Sequence, residues 1–459
     1  MRIRRLVRIS SIVPGTNLMP VPFSIATTVL IAFGVTFTLD LFDSAKWISL
    51  HPWLSVGNID DARAILGAIM GAVSTVLALI FSVTLLVFST AVSQFGPRLM
   101  PYFLRERTMQ VALGLFLATF LQSLLAFVVT GRRGDQEFVP QLTVLTSVGL
   151  VFFSFCYLVF YHHRIALAIQ TNNVLARIVE SLNKAIGEFS QPRLVDVGFF
   201  SRPKPDEEPS ADAIRQRCLT EGGAVMAVTS GYMQTLDHTR LVRVADRREA
   251  IVSLAYRPGQ YVLEGEVLAH VFPRNCASEL ASTIHNSIKI GQHRTLEQDI
   301  EFAFAQLSEI ALRALSPAVN DVYTGLSSID WLGDSLRLLA ALPASDGAWR
   351  AVGGAIRLLE PPVQFGRVVR AAFDMIRQAG ARDAAVTIRL LQTCERLAGQ
   401  LSDLEQQQAI REQVEAAYEG AARSFEVGID RNAIEHAYRQ ACERLGAAEQ
   451  ANRKGPLVR

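Results

Sequence analysis

Four long apolar stretches in the first third of the chain restrict its fold more than any other feature. They run from about Pro22 to Phe42, Ala64 to Phe95, Thr108 to Thr130 and Phe138 to Tyr161. The first carries one charge, Asp40 near its end, and the other three carry none. A helix needs roughly 20 apolar residues to cross a hydrocarbon layer about 30 Å thick. A water-soluble fold does not place three uncharged runs of that length in succession. The expected fold class is an α-helical membrane protein with four transmembrane helices in residues 1–164, followed by a mixed soluble region. Arg2, Arg4, Arg5 and Arg8 precede the first run, as in a signal peptide. However, Pro14, Gly15, Pro20 and Pro22 interrupt the approach, and no small-x-small cleavage site follows directly. The run is therefore read as an uncleaved anchor.

Lysine and arginine bias sets the expected orientation. The N-terminal segment and the loop between the second and third runs hold Arg2, Arg4, Arg5, Arg8, Arg98, Arg105 and Arg107, and Arg164 follows the fourth. The opposite loops hold Lys46, Arg63, Arg132 and Arg133, offset by Asp43, Asp60, Asp61, Asp135 and Glu137. Both termini are thus expected in the cytoplasm of a bacterial inner membrane.

The second run spans 32 residues, about 48 Å as a helix, so it should tilt or project from the bilayer. Gly67 and Gly71 form a Gly-x-x-x-Gly pair that lets another helix approach closely, within the chain or between copies. Thr75, Ser82, Ser89 and Ser93 fall on one narrow stripe. Two accounts fit it: hydroxyls bonding their own helix or a neighbour, or a polar strip lining a water-filled pore. The second to fourth runs contain no Asp, Glu, Lys, Arg or His. That argues against a proton relay and leaves a passive channel open.

Beyond the membrane, Leu175, Ile178, Val179, Leu182, Ile186 and Phe189 keep helical spacing, which predicts that the fourth helix extends through residues 165–200. A linker follows over 201–221, rich in Pro and charge at its start. Short β-prone runs punctuated by Gly231, Pro258, Gly259 and Gly265 predict a small barrel-like β domain over 222–273. Its stretch from Gly259 to Leu268 resembles half of a biotinyl or lipoyl domain. Between Thr229 and Val271 there is no lysine to carry the prosthetic group, so the likeness is structural only. Residues 274–459 read as a helical domain. Within it, Arg294, Asp299, Asn320 and Asp321 form a candidate polar cluster. The plainer account is local: Ser316-Pro317 ends one helix, Asn320 or Asp321 caps the next, and Asp299 pairs with Arg313 or Arg294. The other is a pocket for a small ligand or phosphate.

Catalytic and cofactor signatures are missing. There is no phosphate loop, no Gly-x-Ser-x-Gly elbow and no His-Glu-x-x-His. Cys156, Cys218, Cys276, Cys394 and Cys442 make no Cys-x-x-Cys pair, so neither metal nor cofactor is expected. A net charge of +2 provides no basic surplus for nucleic acid.

Three segments carry a family resemblance: Ser93-Gln94-Phe95-Gly96-Pro97-Arg98, Arg294-Thr295 with Gln298-Asp299, and Ala314-Leu315-Ser316-Pro317-Ala318-Val319-Asn320-Asp321. A fourth, weaker one is Ala372 to Gln378. The chain resembles the bacterial membrane-protein family known as domain of unknown function 2254, from the first helix to about Gly399. Val322 stands where that family usually has proline. The resemblance implies the membrane architecture and marks the membrane-proximal Gln94, Pro97 and Arg98; it implies no activity. The expected function is an oligomeric channel or transport-like protein with a cytoplasmic gating or sensing domain. The alternative is a membrane-anchored, non-enzymatic sensor or scaffold that binds a ligand or partner. The expected partners are the lipid bilayer and further copies of the chain.

Overall fold

The structure is a computed structural model. It describes residues 20–42, 55–96, 106–133, 136–168, 170–189, 194–195, 210–343, 345–351, 354–401, 403–425 and 428–453. The chain divides between Val174 and Leu175 into two compact units.

The first unit contains α1 (Pro20–Leu41), α2 (Ile59–Phe95), α3 (Arg107–Val129) and α4 (Gln141–Ala168), with a hairpin of β1 (Gly131–Arg133) and β2 (Gln136–Phe138) before α4. All four helices are long and apolar enough to cross a membrane. The helix α2 opens with a reciprocal cap in which Asn58 accepts from Asp61 N and Asp61 accepts from Asn58 N. This satisfies amide groups that a helix start leaves free. α3 is the central helix of the bundle, with Ala112, Phe116, Ala118 and Ala126 all buried. Its Gly114 allows the close approach of α1, since a Cβ there would lie 2.8 Å from Pro22 Cα.

The single charge in the first membrane run has a definite task. The carboxylate of Asp40 accepts from Leu142 N, Thr143 N and Thr143 Oγ1 at 3.0, 2.9 and 2.7 Å, and so caps α4 from across the bundle. A carboxylate is favoured at the positive end of a helix dipole. Gln141 holds the same end by exchanging two hydrogen bonds with the backbone of Val56. Arg63 donates to Thr130 O.

The predicted continuation of the fourth helix is broken. α4 closes at Ala168, Asn173 Nδ2 donates back to Leu167 O, and α5 (Thr171–Phe189) starts afresh. Residues 201–209 of the predicted linker lie outside the described residues, and its end is a helix, α6 (Ala211–Glu221), capped by Ser210.

The β region departs from the sequence expectation. Its strands are β4 (Gly223–Met226), β5 (Gly231–Leu236), β6 (Ile251–Leu254), β7 (Tyr261–Val262) and β8 (Val267–Phe272), with α7 (His238–Arg247) between β5 and β6. There is no closed barrel among the described residues. A six-stranded sheet has the order β3-β10-β11-β6-β8-β4, and a three-stranded sheet the order β7-β5-β9. Four of these strands come from outside 222–273: β3 (Leu194–Val195), β9 (Ile288–Gly291), β10 (Ala348–Ala351) and β11 (Ile356–Leu359). Period-2 patterning identifies a strand but not its partner, which is why pairing across about a hundred residues escaped the sequence reading. A core of Val225, Val252, Leu254, Val271 and Leu358 joins the sheet to α7 and to α8 (Cys276–Ser287). The remaining helices are α9 (Ile300–Ala314), α10 (Val322–Ala340), α11 (Phe365–Ala379), α12 (Ala384–Ala398), α13 (Leu404–Ala422) and α14 (Ile429–Arg453).

Candidate functional site

The polar constellation of the soluble unit divides into two structural devices. Arg294 forms a two-pronged ion pair with Asp299, Nε to Oδ2 at 2.7 Å and Nη2 to Oδ1 at 2.8 Å. Asp299 is 2% exposed and also caps α9 by accepting from Phe302 N. Its carboxylate rests on the backbone of Gly259, where a Cβ would run into it. Gly259 has φ +94°, a conformation that suits glycine. Around this point Gln298 exchanges two hydrogen bonds with Leu236, Gln234 Nε2 donates to His293 O, and Arg257 pairs with Glu301. These residues clamp the three-stranded sheet to the start of α9.

Asn320 and Asp321 serve the opposite end of that helix. Asp321 N donates to Ala314 O, and its carboxylate accepts from Thr324 N and Thr324 Oγ1, capping α10. Asn320 is exposed at φ +51°, a left-handed turn position that asparagine tolerates. The 15 residues of α9 separate the two devices by about 22 Å. The expected convergence of all four residues is therefore corrected: Arg294 meets Asp299, and Asp321 meets Thr324. The intervening length of helix keeps them apart.

Thr75, Ser82, Ser89 and Ser93 all lie on the outer surface of α2. Three of these hydroxyls donate to their own helix, Thr75 to Gly71 O, Ser82 to Ala78 O and Ser93 to Thr90 O. Gly71 shares that surface, and a Cβ at Gly67 or Gly71 would meet nothing within 4 Å. The close helix contact inside the chain is instead at Gly114. Gln94 is exposed near the end of α2; Pro97 and Arg98 lie outside the described residues.

A second polar stripe, not singled out from the sequence, is buried inside the bundle. Thr143, Ser147, Ser154 and Tyr161 follow one face of α4 at spacings of 4, 7 and 7, and all are at most 1% exposed. Thr143 reaches Asp40, Ser154 meets Thr119 Oγ1 at 2.9 Å, and Tyr161 meets Thr84 Oγ1 at 3.1 Å. Eighteen residues of helix rise about 27 Å, nearly the thickness of a hydrocarbon core. Facing this seam from α3 are Thr119, Gln122 and Ser123, each 0% exposed. Neither Nε2 nor Oε1 of Gln122 has a hydrogen-bond partner among the described residues. A buried amide left so costs about 1–3 kcal/mol. The signal was present in the sequence as the 4-7-7 spacing and as Thr119, Gln122 and Ser123 grouped within one uncharged, mostly apolar run.

Comparison with known proteins agrees with this architecture. The sequence profile of a family described as a predicted membrane protein (DUF2254) matches residues 16–396. An uncharacterized protein of Mycobacterium bovis is 29% identical over 435 residues, covering 91% of this chain and 80% of its own length. An uncharacterized protein of Mycobacterium tuberculosis is similar to the same extent. No solved structure matches. With four apolar helices in place and the profile covering most of the chain, the protein belongs to the DUF2254 family of predicted membrane proteins.

Proposed function

We propose that this protein works as a homo-oligomer of channel or transport type in a bacterial inner membrane, with α2 of neighbouring copies in contact. One observation carries the reading: the outer face of α2 is built from small residues. Ala64, Ala68, Gly71, Thr75, Ala78 and Ser82 are all exposed at alternating spacings of 4 and 3, the repeat of a helix seam. The adjoining outer residues Leu79, Phe81, Leu85 and Leu86 are large and suit lipid tails. Small residues give lipid little to hold but let a second backbone come close. The hydroxyls of Thr75, Ser82, Ser89 and Ser93 would then face one another between copies.

Cysteine cross-linking in native membranes tests the assembly. Ser82→Cys should form a disulfide-linked dimer on mild oxidation, and Phe81→Cys, exposed but about 100° further round the helix, should not. Equal cross-linking at both positions, or none at either, removes the interface. Channel activity has its own test. Purified protein in planar bilayers should show conductance that Ser82→Leu reduces at least tenfold. A silent bilayer with a cross-linkable dimer would keep the oligomer and remove the channel.

A further inference from the structure

We infer that each chain holds, inside its own four-helix bundle, a hydrated site centred on Gln122. It would take a small uncharged solute that both donates and accepts hydrogen bonds, water or an amide of similar size. The inference goes beyond the oligomer reading, because it needs no second copy.

Gln122 lies one turn from Thr119 and one turn from Ala126 on α3. Thr119 touches Ser154 of α4, and Ala126 packs with Leu66 of α2 and Val144 of α4. The amide is thus bracketed between two helix contacts and lies within the hydrocarbon layer. Both of its functional ends are free: Nε2 seeks an acceptor and Oε1 seeks a donor. No lipid tail supplies either, and the side chain is 0% exposed to the outside. Leucine would fill such a position at no polar cost, so an amide here calls for a polar occupant.

The neighbours restrict what that occupant is. Ser123 Oγ donates to Thr119 O, Thr119 Oγ1 to Leu115 O, and Ser147 Oγ to Thr143 O. Their donors are used, but their oxygens retain lone pairs. The seam therefore offers several acceptors and one strong donor, the Gln122 amide. Among the described residues, the charged side chain hydrogen-bonded to the seam is Asp40 at one end, already occupied by two amides and a hydroxyl. A cation would meet the partly positive N–H groups of Nε2, and an anion would meet hydroxyl oxygens with no basic side chain hydrogen-bonded to the seam among the described residues. A neutral molecule with one donor and one acceptor satisfies both ends of Gln122.

Thiol accessibility in membranes tests this directly. In a chain with its five cysteines replaced by alanine or serine, Gln122→Cys and the near-isosteric Ser147→Cys and Ser154→Cys are each treated with a small water-soluble methanethiosulfonate. Leu124→Cys, on the outer lipid-facing side of the same helix, is the control. A thiol reacts as its thiolate, which forms only in contact with water. At least one of the three seam positions should label tenfold or more faster than the control. In the otherwise unaltered protein, Gln122→Leu should melt no higher than the parent, because it removes a solvated group. If all three seam thiols are as silent as the control while their chains melt like the parent, the seam is dry and the inference fails. A Gln122→Leu melting point several degrees above the parent overturns it too, since that marks the amide as an unrelieved burden. Neither readout depends on whether copies cross-link at Ser82.

Discussion

Asp299 fulfils three structural tasks with one carboxylate: it pairs with Arg294, caps α9 and seats on Gly259. Replacing it with alanine removes a helix cap and two charge-assisted hydrogen bonds, while Arg294 remains partly solvated. The expected loss is about 2–4 kcal/mol, measured by denaturant unfolding of the purified protein in detergent. Gly259→Ala should cost about as much by another route, since the methyl meets the carboxylate at a φ that disfavours alanine. Acidification addresses a different carboxyl. Tyr256 hydroxyl at 2.6 Å, then Leu263 N at 3.0 Å, hold Glu266 below its ordinary pKa of 4.5. A depressed carboxyl stabilises the fold at neutral pH, and that contribution is lost as pH falls through the folded-state value. Melting curves taken from pH 7 downward should therefore show a weaker acid-side decline below about pH 4.5 in Glu266→Gln than in the parent. Burial pushes the thiols of Cys218 and Cys394 up to about 11 and about 12. Mass spectrometry after alkylation at pH 8 should find both unmodified in the folded protein and modified after unfolding.

At the level of elements, two kinds of glycine separate cleanly. Gly114 sits where α1 crosses α3 at 2.8 Å from a would-be Cβ, whereas Gly67 and Gly71 open onto free space. Gly114→Leu should lower the melting temperature of the monomer in detergent by several degrees. Gly67→Leu and Gly71→Leu should leave that temperature within about a degree and alter only the oligomer on a sizing column. The four membrane helices were legible because length and absence of charge decide them before any packing is known. The helix face that meets a neighbour was not legible. The outer stripe on α2 and the inner stripe on α4 have the same spacings in the sequence, and only the third dimension separates them. The same limit explains the clamp. An arginine partner for Asp299 near a helix start was foreseeable, but the sequence left it open between Arg294 and Arg313, and the structure gives Arg294. The pair's third partner, Gly259, lies forty residues away in the turn before β7, and Asn320 and Asp321 at the far end of α9 share only a family motif with them.

Across the whole molecule, orientation in the membrane decides which compartment the soluble unit samples. Four helices return the chain to the side on which it began, so α1 and the segment after α4 start from the same face. One end of the bundle is marked by Asp40, Gln141, Arg63 and the cap at Asn58. The acidic residues Asp40, Asp60, Asp61 and Glu137 outnumber the basic Arg63, Arg132 and Arg133 in its described part. The other end carries Arg107 and Arg164, with Glu106 at 4.0 Å from Arg164. Basic residues near short loops are retained in the cytoplasm, while acidic ones contribute little to topology. The second end is therefore expected in the cytoplasm, and with it everything after Ala168. Alkaline phosphatase fused after Asp60 or Gly134 should be active, and a green fluorescent protein fused after Glu106 or at Arg459 should fluoresce. Phosphatase activity from a C-terminal fusion would reverse the assignment. It would also place the five cysteines' soluble members, Cys218, Cys276, Cys394 and Cys442, in an oxidising compartment, although all four stand as free thiols here.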